Sequence, residues 1–225
     1  MLTLIFVVAA VTTITVHYLL VERRRERRRA AAMESPVAER LSVSFPEGTY
    51  LQPAFTWSRI ARSGDLLVGV HPLLRGMMGR GARIDIPVPS RRVQKGDPLV
   101  RIRVNGREVI LPAPASGAIS EVRAPSLEVP HAGESTAGGE AWACRLRPDD
   151  LSLDASDWLD GESARSWAKE RYRDMREYLM RSAGGGDLGL TLADGGDIPV
   201  GALQRLSDDE WEAFRARFLN FVQPD

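Results

Sequence analysis

Apolar and polar residues alternate with a period of two through the middle of this chain and with a period near four towards its end. Short β-rich runs in the same region predict strands at Phe55–Ile60, Leu66–Val70, Ala82–Ile86, Leu99–Val104, Glu108–Leu111, Ala118–Val122 and Ala141–Leu146, with Gly and Pro between them. Many short punctuated strands describe a mainly β sandwich or barrel, here from about Tyr50 to Arg147. Its register is explicit in one hairpin. Val100, Ile102 and Val104 alternate with Arg101 and Arg103, which face outward, and Asn105-Gly106 closes the turn. Asn-Gly is favoured there because both residues of such a turn need φ > 0. Turns at Lys95-Gly96-Asp97 and Ala115-Ser116-Gly117 frame the hairpin.

The second pattern predicts a helix over 163–182, with a stripe of Ala164, Ala168, Tyr172, Met175 and Leu179 widened by Trp167 and Tyr178. Gly184-Gly185-Gly186 ends it and begins a flexible connection. A last helix starts at Ser207-Asp208-Asp209-Glu210, a capping box, with Leu206 and Trp211 placed as a hydrophobic staple. Trp211, Phe214, Phe218 and Phe221 line one side of it. A helix of about fifteen residues is marginal alone, so this face must dock. Its own barrel is the ordinary choice; otherwise Trp211, Phe214 and Phe218 bind a protein partner.

Residues 2–21 contain no Lys, Arg, Asp or Glu, and about twenty helical residues span roughly 30 Å of hydrocarbon. Six arginines follow between Glu22 and Arg29. A cleaved signal peptide would carry its positive charge before the apolar run, so the order favours a transmembrane helix. The positive-inside rule then keeps the arginines and the rest of the chain in the cytoplasm, as a single-pass protein of an inner or plasma membrane. Residues 22–46 form a basic juxtamembrane linker. The net charge is zero and no aromatic residue interleaves with the arginines, which argues against nucleic acid and leaves the membrane surface as their partner. The loop from Ala124 to Glu140 is polar and rich in Gly and Pro.

No residue set reads as a catalytic or metal centre. His17, His71 and His131 lack ligand spacing, and Cys144 alternates within a strand as a small buried hydrophobe. Gly184–Gly186 lacks the lysine and helix of a phosphate loop, and Asp194-Gly195-Gly196-Asp197 lacks the other ligands of a calcium loop. An enzyme is not expected.

Pro114-Ala115-Ser116-Gly117, Thr56-Trp57, Val68-Gly69-Val70, Gly139-Glu140-Ala141-Trp142 and the Pro148…Leu151 pair, with a short helix at Pro72 to Gly79, together carry a resemblance. Over roughly residues 50–180 the chain resembles the glycine cleavage system H protein, of the lipoyl/biotinyl barrel-sandwich superfamily. The resemblance implies a mainly β barrel-sandwich (a lipoyl-like hammerhead) with C-terminal helices. It also implies a carrier lysine eleven residues before the glycine of the Pro-x-Ser-Gly motif. That position is Gly106, in the Asn105-Gly106 tip. The only lysines are Lys95, in the other turn, and Lys169, on the long helix; a guanidinium such as that of Arg107 does not form the acyl amide. No cofactor is expected.

The reading is therefore a membrane-anchored, non-lipoylated H protein-like binding or scaffold module. Its segments are a transmembrane helix at 2–21, a linker at 22–46, a barrel at 47–150, a helical extension at 151–183, and a Gly-rich connection with a capped helix at 184–225. The resemblance implies glycine cleavage components as protein partners, retained for docking. A genuine lipoyl carrier with an unusual attachment point is one alternative. An efflux-type membrane adaptor is another, although adaptors place a long helical hairpin where this chain has a two-residue turn.

Overall fold

Nine strands, all paired antiparallel, are found among the described residues of the computed structural model, which describes residues 48–86, 91–123, 142–182, 188, 192 and 196–221. The contacts divide the chain into Met1–Ser35 and Pro36–Asp225, and every described residue lies in the second unit. The expected membrane span at 2–21, the linker at 22–46 and the loop from Ala124 to Glu140 lie outside the described residues. Among the described residues no helix is long and apolar enough to cross a membrane.

One sheet has the order β1 (Thr49–Gln52), β2 (Thr56–Ile60), β3 (Leu66–Val70), β9 (Trp142–Pro148), β8 (Gly117–Val122) and β5 (Arg92–Val93). The other has β4 (Arg83–Asp85), β6 (Pro98–Val104) and β7 (Arg107–Pro112). Strands β1 and β5 were not expected. Each is too short to show alternation, and each exists because a neighbour supplies its ladder: β2 for the first, β8 for the second. Leu51 of β1 also exchanges two backbone hydrogen bonds of 2.8 Å with Leu159, far along the chain.

The inward residues of both sheets form one core that includes Val68, Val100, Ile102, Leu111 and Leu146. A smaller cluster of Trp57, Leu67 and Trp142 uses the alternate positions of β2, β3 and β9. Helix α1 (Pro72–Met78) begins with Pro at its first position and with the His71 side chain accepting from the Leu73 amide at 3.1 Å. Gly79, at φ 78°, ends it. After the short α2 (Leu151–Asp154), α3 (Gly161–Ser182) buries Ala164, Ala168, Met175 and Leu179, four of the five residues of the expected stripe, and leaves the fifth, Tyr172, half-buried.

Helix α4 (Asp208–Phe218) carries both halves of its capping box. The Glu210 amide donates to Ser207 Oγ at 3.3 Å, and the Ser207 amide donates to Glu210 Oε2 at 2.7 Å. Trp211, Phe214 and Phe218, which the sequence left open to a partner, are buried in the domain's own core. Tyr178 of α3 packs edge-on against Phe214 and Phe218, at 5.9 and 5.3 Å between ring centres. Burying such rings stabilises by about 2 kcal/mol each, so the inward orientation wins over exposure.

Candidate functional site

The Asn105-Gly106 tip adopts the expected turn, with φ of 49° and 79°. Both residues are exposed, and a Cβ added to Gly106 would meet nothing within 4 Å. The residues at its flank are held by the C-terminal segment. Asn105 Nδ2 donates to Gln204 Oε1 at 3.0 Å, while Gln204 Nε2 donates to the carbonyls of Met78 and Arg80 at 2.6 and 2.9 Å. One amide side chain thus links the hairpin to the end of α1. The Arg107 guanidinium donates to the carbonyls of Leu203 and Leu206 and lies 5.5 Å over the Trp211 ring. Its side chain is 11% exposed, and Asp208 stands 3.6 Å away. Those two carbonyls come from a 3-10 turn at Ala202–Arg205 and the residue after it. The turn is itself pinned by Gly201, whose amide donates to Gly76 O at 2.8 Å.

At the other end of β6, the residues of the second turn serve as joints. Lys95 Nζ donates at 2.6 Å both to Asp157 Oδ1 and to Asp154 O, so this lysine ties the barrel to the segment after α2 instead of projecting freely into solvent. Ser116 accepts from the Lys95 amide through Oγ at 3.0 Å and donates its own amide to Asp154 Oδ2 at 2.7 Å. Trp158 Nε1 donates to Pro114 O at 3.3 Å. Gly117 is required by close approach, since a Cβ there would lie 2.1 Å from Arg147 O on β9. Lys169 is exposed on α3.

The reactive side chains are quenched by burial. His71 lies between the Phe55 and Trp167 rings, both 6.3 Å away, and burial lowers its pKa to about 3, leaving a neutral imidazole that caps α1. Burial raises the Cys144 thiol to about 12, far from the thiolate a nucleophile needs. Tyr172 is pushed up to about 12, first by burial, and its hydroxyl hydrogen-bonds Asp197 Oδ1 at 3.0 Å. Among the described residues no group of three His, Cys, Asp or Glu could hold a metal ion. His17 and His131 lie outside the described residues. The sequence carried no signal for Gln204 or for the role of Arg107, since each acts on chain about a hundred positions away.

No family model matches the chain. It is 25% identical over 123 residues to the probable glycine cleavage system H protein of Pyrococcus horikoshii, covering 55% of this chain and 91% of that one. It is 27% identical over 125 residues to glycine cleavage system H protein 2 of Aquifex aeolicus, covering 56% and 73%. With the glycine cleavage system H protein of Thermus thermophilus it shares 24% over 120 residues, covering 53% and 92%. A crystal structure of a glycine cleavage system H protein from Mycobacterium marinum aligns with a TM-score of 0.42 at 20% identity, covering 56% of this chain and 98% of that chain. The chain is distantly homologous to glycine cleavage system H proteins over about half its length.

Proposed function

We infer that this chain is an H protein-like module, tethered to a membrane through residues 2–21, that binds a partner and carries no lipoyl arm. The reading rests on the distant homology together with one observation at the hairpin. The position eleven residues before Gly117 is a glycine, and its neighbours Asn105 and Arg107 are committed to the C-terminal segment. A swinging arm needs an acylated amine on a free turn. Here the tip offers none, and the amine of Lys95 is already engaged by Asp157 and Asp154. The resulting role is non-catalytic, and components of glycine cleavage are the protein partners that the homology suggests.

Intact-mass measurement of the chain purified from its native host tests the missing arm. The expected result is a mass with no acyl adduct. A lipoyl or biotinyl adduct on Lys95 or Lys169 overturns the reading and favours a carrier with an unusual attachment point. Protease treatment of sealed cells tests the tether and its sidedness. The barrel should resist digestion until the membrane is opened, whereas digestion from outside would remove the cytoplasmic placement.

A further inference from the structure

Of the four strands that end a sheet among the described residues, three have little free edge to offer. β4 and β5 run for three and two residues, and β1 is already bonded to Leu159 through Leu51. β7 runs for six, from Arg107 to Pro112. Its hairpin register says which backbone groups are spare. Asn105 and Gly106, at φ 49° and 79°, form a two-residue turn, so Val104 and Arg107 beside it are a hydrogen-bonded pair. Alternation makes Ile102 and Val109 the next such pair. Glu108 and Ile110 therefore turn their backbone N–H and C=O groups away from β6. No hydrogen bond among the described residues reaches those groups. An open ladder of this kind is a template for one more strand.

A groove lies beside that edge. A cavity of about 220 Å³ has residues 106–110 on one side and Trp211, Glu212, Arg215 and Leu219 on the other. No residue of β6 lines it, so it sits on the free side of β7. Residues 211, 215 and 219 are spaced by four, one line along a helix, so α4 runs along the edge. The volume exceeds the roughly 150 Å³ of an apolar cavity that accepts benzene, room for one large side chain. Its floor is apolar, with Val109, Leu219 and Trp211 at 2%, 3% and 4% exposure. Charge on the walls is spent: Glu212 meets Arg215 at 2.6 Å, and Arg107 is turned to the carbonyls of Leu203 and Leu206. The register then sets what an added strand must carry. Across from Ile110, on the outer face, a β-branched residue pairs best. Across from Glu108, which has Arg101 at 3.4 Å on its β6 side, a cation is favoured and an acid repelled. The residue between those two points into the groove. A second copy of the chain fits less well, because pairing β7 with β7 brings two α4 helices onto one edge.

We propose that the free edge of β7 docks an extended segment of a partner protein, added antiparallel, whose successive residues are β-branched, large apolar and basic. The proposal rests on the partner-binding part of the reading above. That reading's own tests, the acyl adduct and the sidedness, are read separately, so either can fail alone. The probe is a labelled, end-blocked Thr-Val-Leu-Lys-Thr peptide, titrated by fluorescence anisotropy into the full chain in lipid nanodiscs. Binding is expected, and Glu in place of the peptide's Lys should weaken it about fivefold. N-methylation separates strand addition from simple burial of a side chain. On Val or Lys it removes an N–H that the carbonyl of Ile110 or Glu108 accepts, and should weaken binding about tenfold. On Leu, whose N–H faces away, the change should stay below about twofold. Ile110→Pro should abolish binding and leave the urea midpoint little changed, since Pro is tolerated where the N–H of an edge strand faces solvent. Should that variant fail to fold, the N-methyl series on the unaltered chain decides. No binding at millimolar peptide overturns the proposal. So do equal losses at all three N-methyl positions, or binding that survives Ile110→Pro. A doubled mass of the bare chain by light scattering, returned to one copy by Ile110→Pro, overturns it in favour of a second copy on that edge.

Discussion

Two glycines show how single positions set the barrel. Gly69 lies directly across from Trp57 in the β2–β3 ladder, and a Cβ on it would fall 2.3 Å from the indole ring. Gly117 meets the backbone of Arg147 in the same manner. Neither φ is left-handed, so the demand is for space. Gly69→Ala should therefore lose about 1–3 kcal/mol of stability by overpacking, read as a lower urea midpoint; an unchanged midpoint would show that Trp57 can move aside. His71 makes a second prediction at this scale. Its folded pKa near 3 lies below an unfolded value near 6.5, so the unfolded chain binds more protons between those pH values. Stability is complete above pH 6.5 and falls as the pH drops towards 3, by about 2 kcal/mol at pH 5. Urea midpoints at pH 7 and pH 5 measure that loss. His71→Asn keeps an acceptor for the Leu73 amide and should flatten the dependence, whatever it does to stability at pH 7.

Helix α4 and the turn before it are positioned by polar anchors at one end and aromatic burial along one face. Ser207→Ala removes the side-chain half of the capping box and should cost about 1 kcal/mol, measurable by chemical denaturation. Arg107→Gln acts differently. It withdraws the guanidinium from the carbonyls of Leu203 and Leu206 and from the face of Trp211. The expected result is faster amide hydrogen exchange across 201–211, by about 1–3 kcal/mol of local opening, with the ladders of β2, β3 and β9 unchanged. Uniform acceleration across the barrel would mean that Arg107 supports the whole fold instead of latching one segment. The capping box is legible in the sequence because all of its atoms lie within four consecutive residues. The latch is not, because Arg107 and Leu203 become neighbours only through folding.

At the scale of the domain, the C-terminal residues complete the core that the strands begin. Leu203, Leu206, Trp211, Phe214 and Phe218 belong to the same buried cluster as Val100 and Leu146. A chain lacking Ser207–Asp225 should bind a dye for exposed apolar surface and unfold at a markedly lower urea concentration, since it leaves the apolar faces that cover α4 uncovered. Retention of the full midpoint would show α4 to be an appendage. Relatives of the H protein kind match this chain over only about half its length.

Wherever the determinant was local, the sequence was enough. Alternation placed β6 and β7; Asn105-Gly106 specified the hairpin turn; a five-residue stripe anticipated the four residues that α3 buries. The chain has only two lysines, Lys95 and Lys169, and neither lies in the Asn105-Gly106 tip. Only the tertiary structure decided that Lys95 is a tie to Asp157 and that the aromatic face of α4 is spent on its own domain. The physical reason is the same in each case. A side chain's type and its period along the chain are local properties, but whether its hydrogen bonds and apolar surface are already satisfied depends on residues that the chain brings back from far away.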